Sequence, residues 1–143
     1  MNPLQQSANV VFLALVVWRE ARGEGDLARL GVAFTIINRA HNPAWWGNDI
    51  QSVIFKKWQF SSMTAPNDPQ LATWPATDDP DWMRCLELAS MALSGTAVDP
   101  VKDADSYFDD SIAPPAWATP DKFVAKLGRL NFYAVNHDHE GNP

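Results

Sequence analysis

The sequence predicts an α+β domain, mainly helical, in which a small antiparallel sheet lies beside a buried central helix. Three observations carry this. Residues 10–18 form an unbroken apolar run, and a helix that is apolar all round is one buried all round. Two further stretches, 27–37 and 82–93, repeat apolar residues at helical spacing. Short strand-like segments occur only in the last two thirds of the chain. The 143 residues, 46% of them hydrophobic, fit one domain spanning 1–143, with an ordered core over about 7–135 and a polar tail over 136–143.

Taken in order, Ser7 is placed to cap a first helix from Ala8 to about Arg22, which Gly23 and Gly25 stop. Asp26 caps a second helix to about Ala40: Leu27, Leu30, Phe34 and Ile37 share a face, and Asn42-Pro43 ends the pattern. Asp49 opens a short helix through Phe55. Lys57-Trp58-Gln59-Phe60-Ser61 alternates as a strand does. Pro66, Pro69, Pro75 and Pro80 then impose a long irregular loop, which in a compact domain points to function. Asp79 and Pro80 form the N-cap and first position of a third helix. Its Trp82, Leu86, Ala89 and Leu93 share a face, and Gly95 terminates it. Two more strands, 104–109 and 129–135, are separated by Pro114-Pro115 and a short helix capped by Thr119.

A net charge of −6 leaves no basic stripe to neutralise phosphates, so nucleic acid is excluded as a partner. The apolar run over 10–18 is not read as an export signal or a membrane span. Nothing basic precedes it, no small-residue cleavage site follows it, and a membrane helix needs roughly 20 residues. The chain is therefore expected to be made in the cytoplasm without a signal peptide and not to insert into a membrane. The lone Cys85 lies on an apolar helical face and reads as a core residue. His137-Asp138-His139-Glu140 spells a metal-ligand cluster, but on an unsupported polar tail, so no metal and no cofactor is expected. His41 follows the second helix, where it reads as a partner of the helix dipole rather than a base.

The carboxylates are lopsided: thirteen Asp but four Glu, and Glu20 and Glu24 lie at the end of the most hydrophobic helix. A carboxyl there faces the negative end of the helix dipole, and Trp18 helps to desolvate it. Both effects raise its pKa and suit it to general acid catalysis. An ion pair of Glu20 with Arg19, Arg22 or Arg39 would lower the pKa instead. The residues alone leave both readings open. Glu24 is four positions on, but Gly23 and Gly25 take it off the helical face.

Trp18-Arg19-Glu20-Ala21-Arg22-Gly23-Glu24-Gly25, followed by an apolar helix ending in Ile37-Asn38-Arg39, resembles the opening motif of the SleB-type cell wall hydrolases, which include spore-cortex-lytic enzymes and some phage endolysins. Gln59-Phe60-Ser61, Ala104-Asp105-Ser106-Tyr107-Phe108, and Leu127-Gly128 with Asn131-Phe132-Tyr133 match later elements of that family in order, so the resemblance spans Leu13 to Tyr133. It implies a lysozyme-like fold and cleavage of peptidoglycan glycan between N-acetylmuramic acid and N-acetylglucosamine. It makes Glu20 the catalytic acid and places Glu24, Gln59, Phe60, Ser61, Tyr107 and Tyr133 as substrate-binding residues. Gln59 would hydrogen-bond sugar acetamido or hydroxyl groups. Tyr107 would orient the acid or steady the oxocarbenium ion. Trp45, Trp46, Trp58, Trp74 and Trp117 flank these segments as candidates for sugar stacking or for core.

A hydrolase of the usual kind also needs a second carboxylate. Glu24, Asp26, Asp105 and Asp109 are candidates, none compellingly placed, which favours a lytic transglycosylase. A hydrolytic muramidase and a non-catalytic glycan-binding module stand as alternatives. The expected setting is a monomeric phage endolysin, made in the host cytoplasm and released through a holin to reach peptidoglycan glycan strands.

Overall fold

The computed structural model describes residues 2–57 and 59–135. The central element is α1 (Pro3–Glu20), whose residues from Leu13 to Arg19 are all buried. It packs against α2 (Asp26–His41), α3 (Ile50–Ile54), α4 (Ser61–Thr64) and α5 (Pro80–Ser94). The cap of α1 is Asn2, not Ser7. The Asn2 side chain accepts from Gln5 N at 2.8 Å, the Gln5 side chain accepts from Asn2 N at 3.1 Å, and Pro3 takes the first turn. A reciprocal capping box outcompetes an isolated serine five residues inside. The helix ends at Glu20 rather than Arg22, and Gly23, at φ +87°, turns the chain out of it.

Gly25, rather than Asp26, caps α2. α5 begins as its sequence predicts: Asp79 accepts from Asp81 N at 2.9 Å, Pro80 follows, and Gly95 closes the helix in the left-handed region. Its most buried residues are Cys85, Leu88, Ala89 and Ala92, so the inward face lies one position away from the Trp82–Leu86–Leu93 stripe, which is half-buried at its margin. The Cys85 thiol, pushed up to about 11 by burial, is a core group.

The sheet is antiparallel, in the order β1 (Ser106–Asp109), β3 (Leu130–Tyr133), β2 (Phe123–Leu127). Tyr107 pairs with Phe132, and Ser106 with Tyr133. The sheet sits on α2 at Gly31, where an added Cβ would lie 2.6 Å from the Phe132 ring. Two expectations need correction. The described residues of the 57–61 segment form no strand: Gln59 N donates to Lys56 O in a turn, and Phe60 leads directly into α4. Alternation there serves a turn that buries Phe60, with no neighbouring strand to pair. The third strand is β2, which follows the 3-10 turn Pro120–Lys122 after Thr119. Its residues are exposed or half-buried with no two-residue alternation, so it lacks the pattern by which strands are read. The loop after α4 holds a further 3-10 turn, Pro69–Ala72.

Candidate active site

Glu20 is the last residue of α1, where the helix that fills the core reaches the surface. Its half-buried carboxyl meets β1: Tyr107 donates its hydroxyl to Glu20 Oε1 at 2.7 Å. Tyr107 is fixed in turn by the Phe132 ring, 5.6 Å away and tilted 45°. Burial raises the Glu20 pKa. The Ser62 hydroxyl and the Tyr107 hydrogen bond work against this, while the negative charges of Asp68 and Asp109 add to it. Burial and the neighbouring carboxylate hold the Tyr107 phenol well above its ordinary value, so it remains a donor throughout the working pH range.

None of the three candidate arginines pairs with Glu20 among the described residues. Arg19 is buried and turns away, donating to the carbonyls of Ser62 (3.0 Å), Leu71 (3.2 Å) and Thr73 (3.2 Å). Arg22 lies over the Trp18 ring, 3.9 Å from its centroid, and donates to Gln70. Arg39 donates to Asp105 O at 2.6 Å and to Gln59 Oε1 at 3.2 Å. Burial lowers its pKa to about 10, and its charge works against the upward shift of Tyr107. The ion-pair reading of Glu20 is thereby set aside.

The Gln59-Phe60-Ser61 segment reaches the site with altered roles. Gln59 Oε1 is taken by Arg39, which leaves Nε2 buried and without a partner among the described residues, a donor available to a ligand. Phe60 is 4% exposed and lies 5.6 Å from the Arg39 guanidinium, as part of the core. Ser61 donates to Asp68 Oδ2 at 2.7 Å and closes the loop. The serine beside the Glu20 carboxyl is its neighbour: Ser62 Oγ is buried, makes no hydrogen bond of ordinary geometry among the described residues, and bears on the Glu20 carboxyl. Sequence reading missed Ser62 and Asp68, since α4 directs alternate residues differently from a strand.

Two further expected site residues are not brought to Glu20. Glu24 Oε1 accepts from Arg129 N at 2.8 Å and ties the Gly23–Gly25 turn to the β2–β3 turn. Successive strand residues face opposite ways. Tyr133, paired with Ser106, therefore lies on the face opposite Tyr107, in a cluster with Phe108, Trp117 and Phe123.

Of the candidate second carboxylates, Asp26 pairs with Arg84. Asp105 is buried and accepts from Val135 N and Ser106 Oγ. Asp109 shares the Tyr107 face and is held by Ser111 N and Arg129. Trp46 is fully buried and Trp45 packs beside it. Trp74 is 70% exposed, and Trp58 lies outside the described residues.

Among the described residues no group of three His, Cys, Asp or Glu is placed to hold a metal. His137, Asp138, His139 and Glu140 lie outside them. No described helix is long and apolar enough to cross a membrane.

A family model described as cell wall hydrolase matches residues 23–133, beginning three positions after Glu20. A spore cortex-lytic enzyme of Halalkalibacterium halodurans is 30% identical over 124 residues, which are 87% of this chain and 34% of that protein. The chain thus spans about a third of that relative's length. The catalytic domain of the Bacillus cereus SleB protein superposes with a TM-score of 0.68 at 26% identity, covering 87% of this chain and 88% of that one. The catalytic domain of the germination-specific lytic transglycosylase SleB from Bacillus anthracis gives 0.67 at 26% identity, covering 87% and 93%.

Proposed function

This chain belongs to the cell wall hydrolase family, and from that premise we propose that it cleaves the N-acetylmuramic acid–N-acetylglucosamine bond of peptidoglycan as a lytic transglycosylase. The observation that carries this is the Glu20 carboxyl: half-buried at a rigid helix end, free of any cationic partner among the described residues, and hydrogen-bonded by Tyr107. A carboxyl whose pKa is raised keeps its proton closer to neutrality and can deliver it to a leaving oxygen.

In the first half of the reaction Glu20 gives its proton to the glycosidic oxygen as the bond to muramic acid C1 breaks. Tyr107 and Ser62 then steady the carboxylate that remains. In the second half the carboxylate takes the proton of the muramic acid 6-hydroxyl as that oxygen bonds to C1. Glu20 is thereby reprotonated, the product ends in a 1,6-anhydro ring, and no water is consumed. Gln59 Nε2, buried and unpartnered among the described residues, is the donor for an acetamido or hydroxyl oxygen of the bound sugar.

One observation favours a second reading. Asp68 and Asp109 both weigh electrostatically on Glu20, and a hydrolytic muramidase would use one of them to activate water. Mass spectrometry of early products separates the two: anhydro ends support the transglycosylase, and reducing ends refute it. Glu20→Gln keeps the shape but has no proton to give, so cleavage should fall by at least 10²–10⁴-fold, the usual scale of general acid catalysis. Near-normal clearing of sacculi by that variant refutes the whole assignment. The endolysin setting is part of the same proposal. Cytoplasmic expression should leave a Gram-negative cell intact until a holin or solvent opens its inner membrane, and lysis before that refutes the setting.

A further inference from the structure

Trp74 is the most exposed aromatic side chain among the described residues, at 70%. Its ring is held in place. The Arg19 guanidinium lies over the indole, 4.8 Å from its centroid, and that guanidinium is itself buried and anchored on three carbonyls of the 61–74 segment. The same segment is closed by Ser61 on Asp68, by Thr73 Oγ1 on Pro69 O, and by Arg22 on Gln70. With one face of the ring covered by a cation, the other is turned to solvent as a fixed, flat, apolar surface. A lone exposed apolar residue on a loose loop carries no meaning, but an indole immobilised in this way has already lost the rotamer freedom that ligand binding would cost.

Its position gives the surface a ligand. Arg19 directly precedes Glu20, so the ring lies within roughly 20 Å of the acid, from the 3.8 Å between adjacent Cα atoms and the reach of two extended side chains. That is a span of a few pyranose rings. Ser62, whose carbonyl binds Arg19 and whose hydroxyl bears on Glu20, links the two physically.

We propose that Trp74 is a sugar-stacking subsite, on which the C–H face of an N-acetylhexosamine of the glycan strand rests, a few residues along the strand from the bond cleaved at Glu20. The subsite rests on the glycan-cleaving function proposed above. It acts in binding and takes no part in the chemistry.

The test is steady-state cleavage of soluble, peptide-free glycan strands prepared from sacculi, using the full chain. Trp74→Ala should raise KM about tenfold, the scale of one aromatic contact, with kcat nearly unchanged. Trp74→Tyr should stay close to the wild type. Trp74→Leu shields Arg19 with apolar bulk but offers no flat face, and should behave like the alanine variant. Since tyrosine and leucine both cover Arg19, their comparison decides the matter even if alanine loosens the loop. Wild-type KM in the leucine variant makes Trp74 a packing residue and overturns the subsite. So does a fall confined to kcat. Binding of Glu20→Gln to insoluble sacculi should weaken by the same factor when Trp74→Ala is added. A wild-type chain that releases no glycan fragments overturns the underlying function; an active wild type with an indifferent Trp74→Ala overturns the subsite alone.

Discussion

Tyr107→Phe isolates one oxygen at the centre of the site. The phenylalanine keeps the ring on Phe132 and removes only the hydroxyl that donates to Glu20 Oε1 at 2.7 Å. That bond lowers the Glu20 pKa against the larger upward effect of burial, so its loss must raise the pKa further. A hydrogen bond to a charged group contributes about 1.5–3 kcal/mol and one to a neutral group about 1 kcal/mol. The difference between the two protonation states of Glu20 is then about 1 kcal/mol, or roughly one pKa unit at 1.36 kcal/mol per unit. The alkaline limb of kcat/KM, which reports loss of the acid form in the free enzyme, should move up by about one unit. The same variant should lose about ten- to a hundredfold in kcat, because the carboxylate formed after proton delivery loses a donor and its fixed direction. The assay is initial-rate cleavage of soluble glycan strands across pH 4–9, with a melting curve at each pH to separate activity from unfolding. A limb that stays in place, or moves down, refutes the hydrogen bond as a determinant of the acid.

The remaining predictions concern stability and the second carboxylate. Because Glu20 has a raised native pKa, the folded chain binds more protons than the unfolded one between the ordinary carboxylate value of 4.5 and the native value. Stability should therefore fall as pH rises through that window and then level off. Glu20→Gln should remove the decline, melting higher than wild type at pH 8 but not at pH 4, and equal shifts at both would count against it. Gly128→Ala puts a Cβ 2.5 Å from Glu24 Oε2 at a φ of +58°, and should cost about 1–3 kcal/mol in denaturant unfolding. Glu24→Gln should leave cleavage largely intact, and a loss matching that of Glu20→Gln would make Glu24 catalytic after all. Asp68→Asn and Asp109→Asn should each shift the alkaline limb downward, since each removes a negative charge that raises the Glu20 pKa. Abolished activity with reducing-end products in the wild type would identify the water-activating group.

Periodicity made the helices legible and failed where partners lie far off in sequence. The apolar run over 10–18 reads as a helix buried all round; Leu13 to Trp18 are buried, whereas Val10 and Phe12 are half-buried and Val11 is 47% exposed, since the core covers only the later turns of α1. Asn2 and Ser7 offer the same capping chemistry, and only the reach of Gln5 back to Asn2 decides between them. Around Phe60 an alternating pattern belongs to a turn and one helical turn, which sends Ser61 to Asp68 and sets Ser62 beside the Glu20 carboxyl instead. β2 gave no alternation to read because neither of its faces is fully buried. The Tyr107–Glu20 contact joins residues 87 positions apart, a separation no local pattern reports.

The fate of the arginines is the step that decides what kind of residue Glu20 is. Three cations lie near it in sequence or motif, and any one, paired, would hold the carboxyl ionised and end its use as an acid. Helix geometry removes the nearest: successive residues of α1 point about 100° apart, so Arg19 faces the 61–74 segment while Glu20 faces β1. The acceptors do the rest. Arg19 and Arg39 are both buried, yet their hydrogen bonds go to main-chain carbonyls and to the Gln59 amide, with no carboxylate among these acceptors. Neutral acceptors take up these guanidinium donors, while burial lowers the Arg39 pKa and the charge of Asp105 works against that lowering. The two cations thus hold together the walls around Glu20, one binding the loop that carries Ser62 and the other binding β1 through Asp105 O, while the carboxyl between those walls keeps its raised pKa.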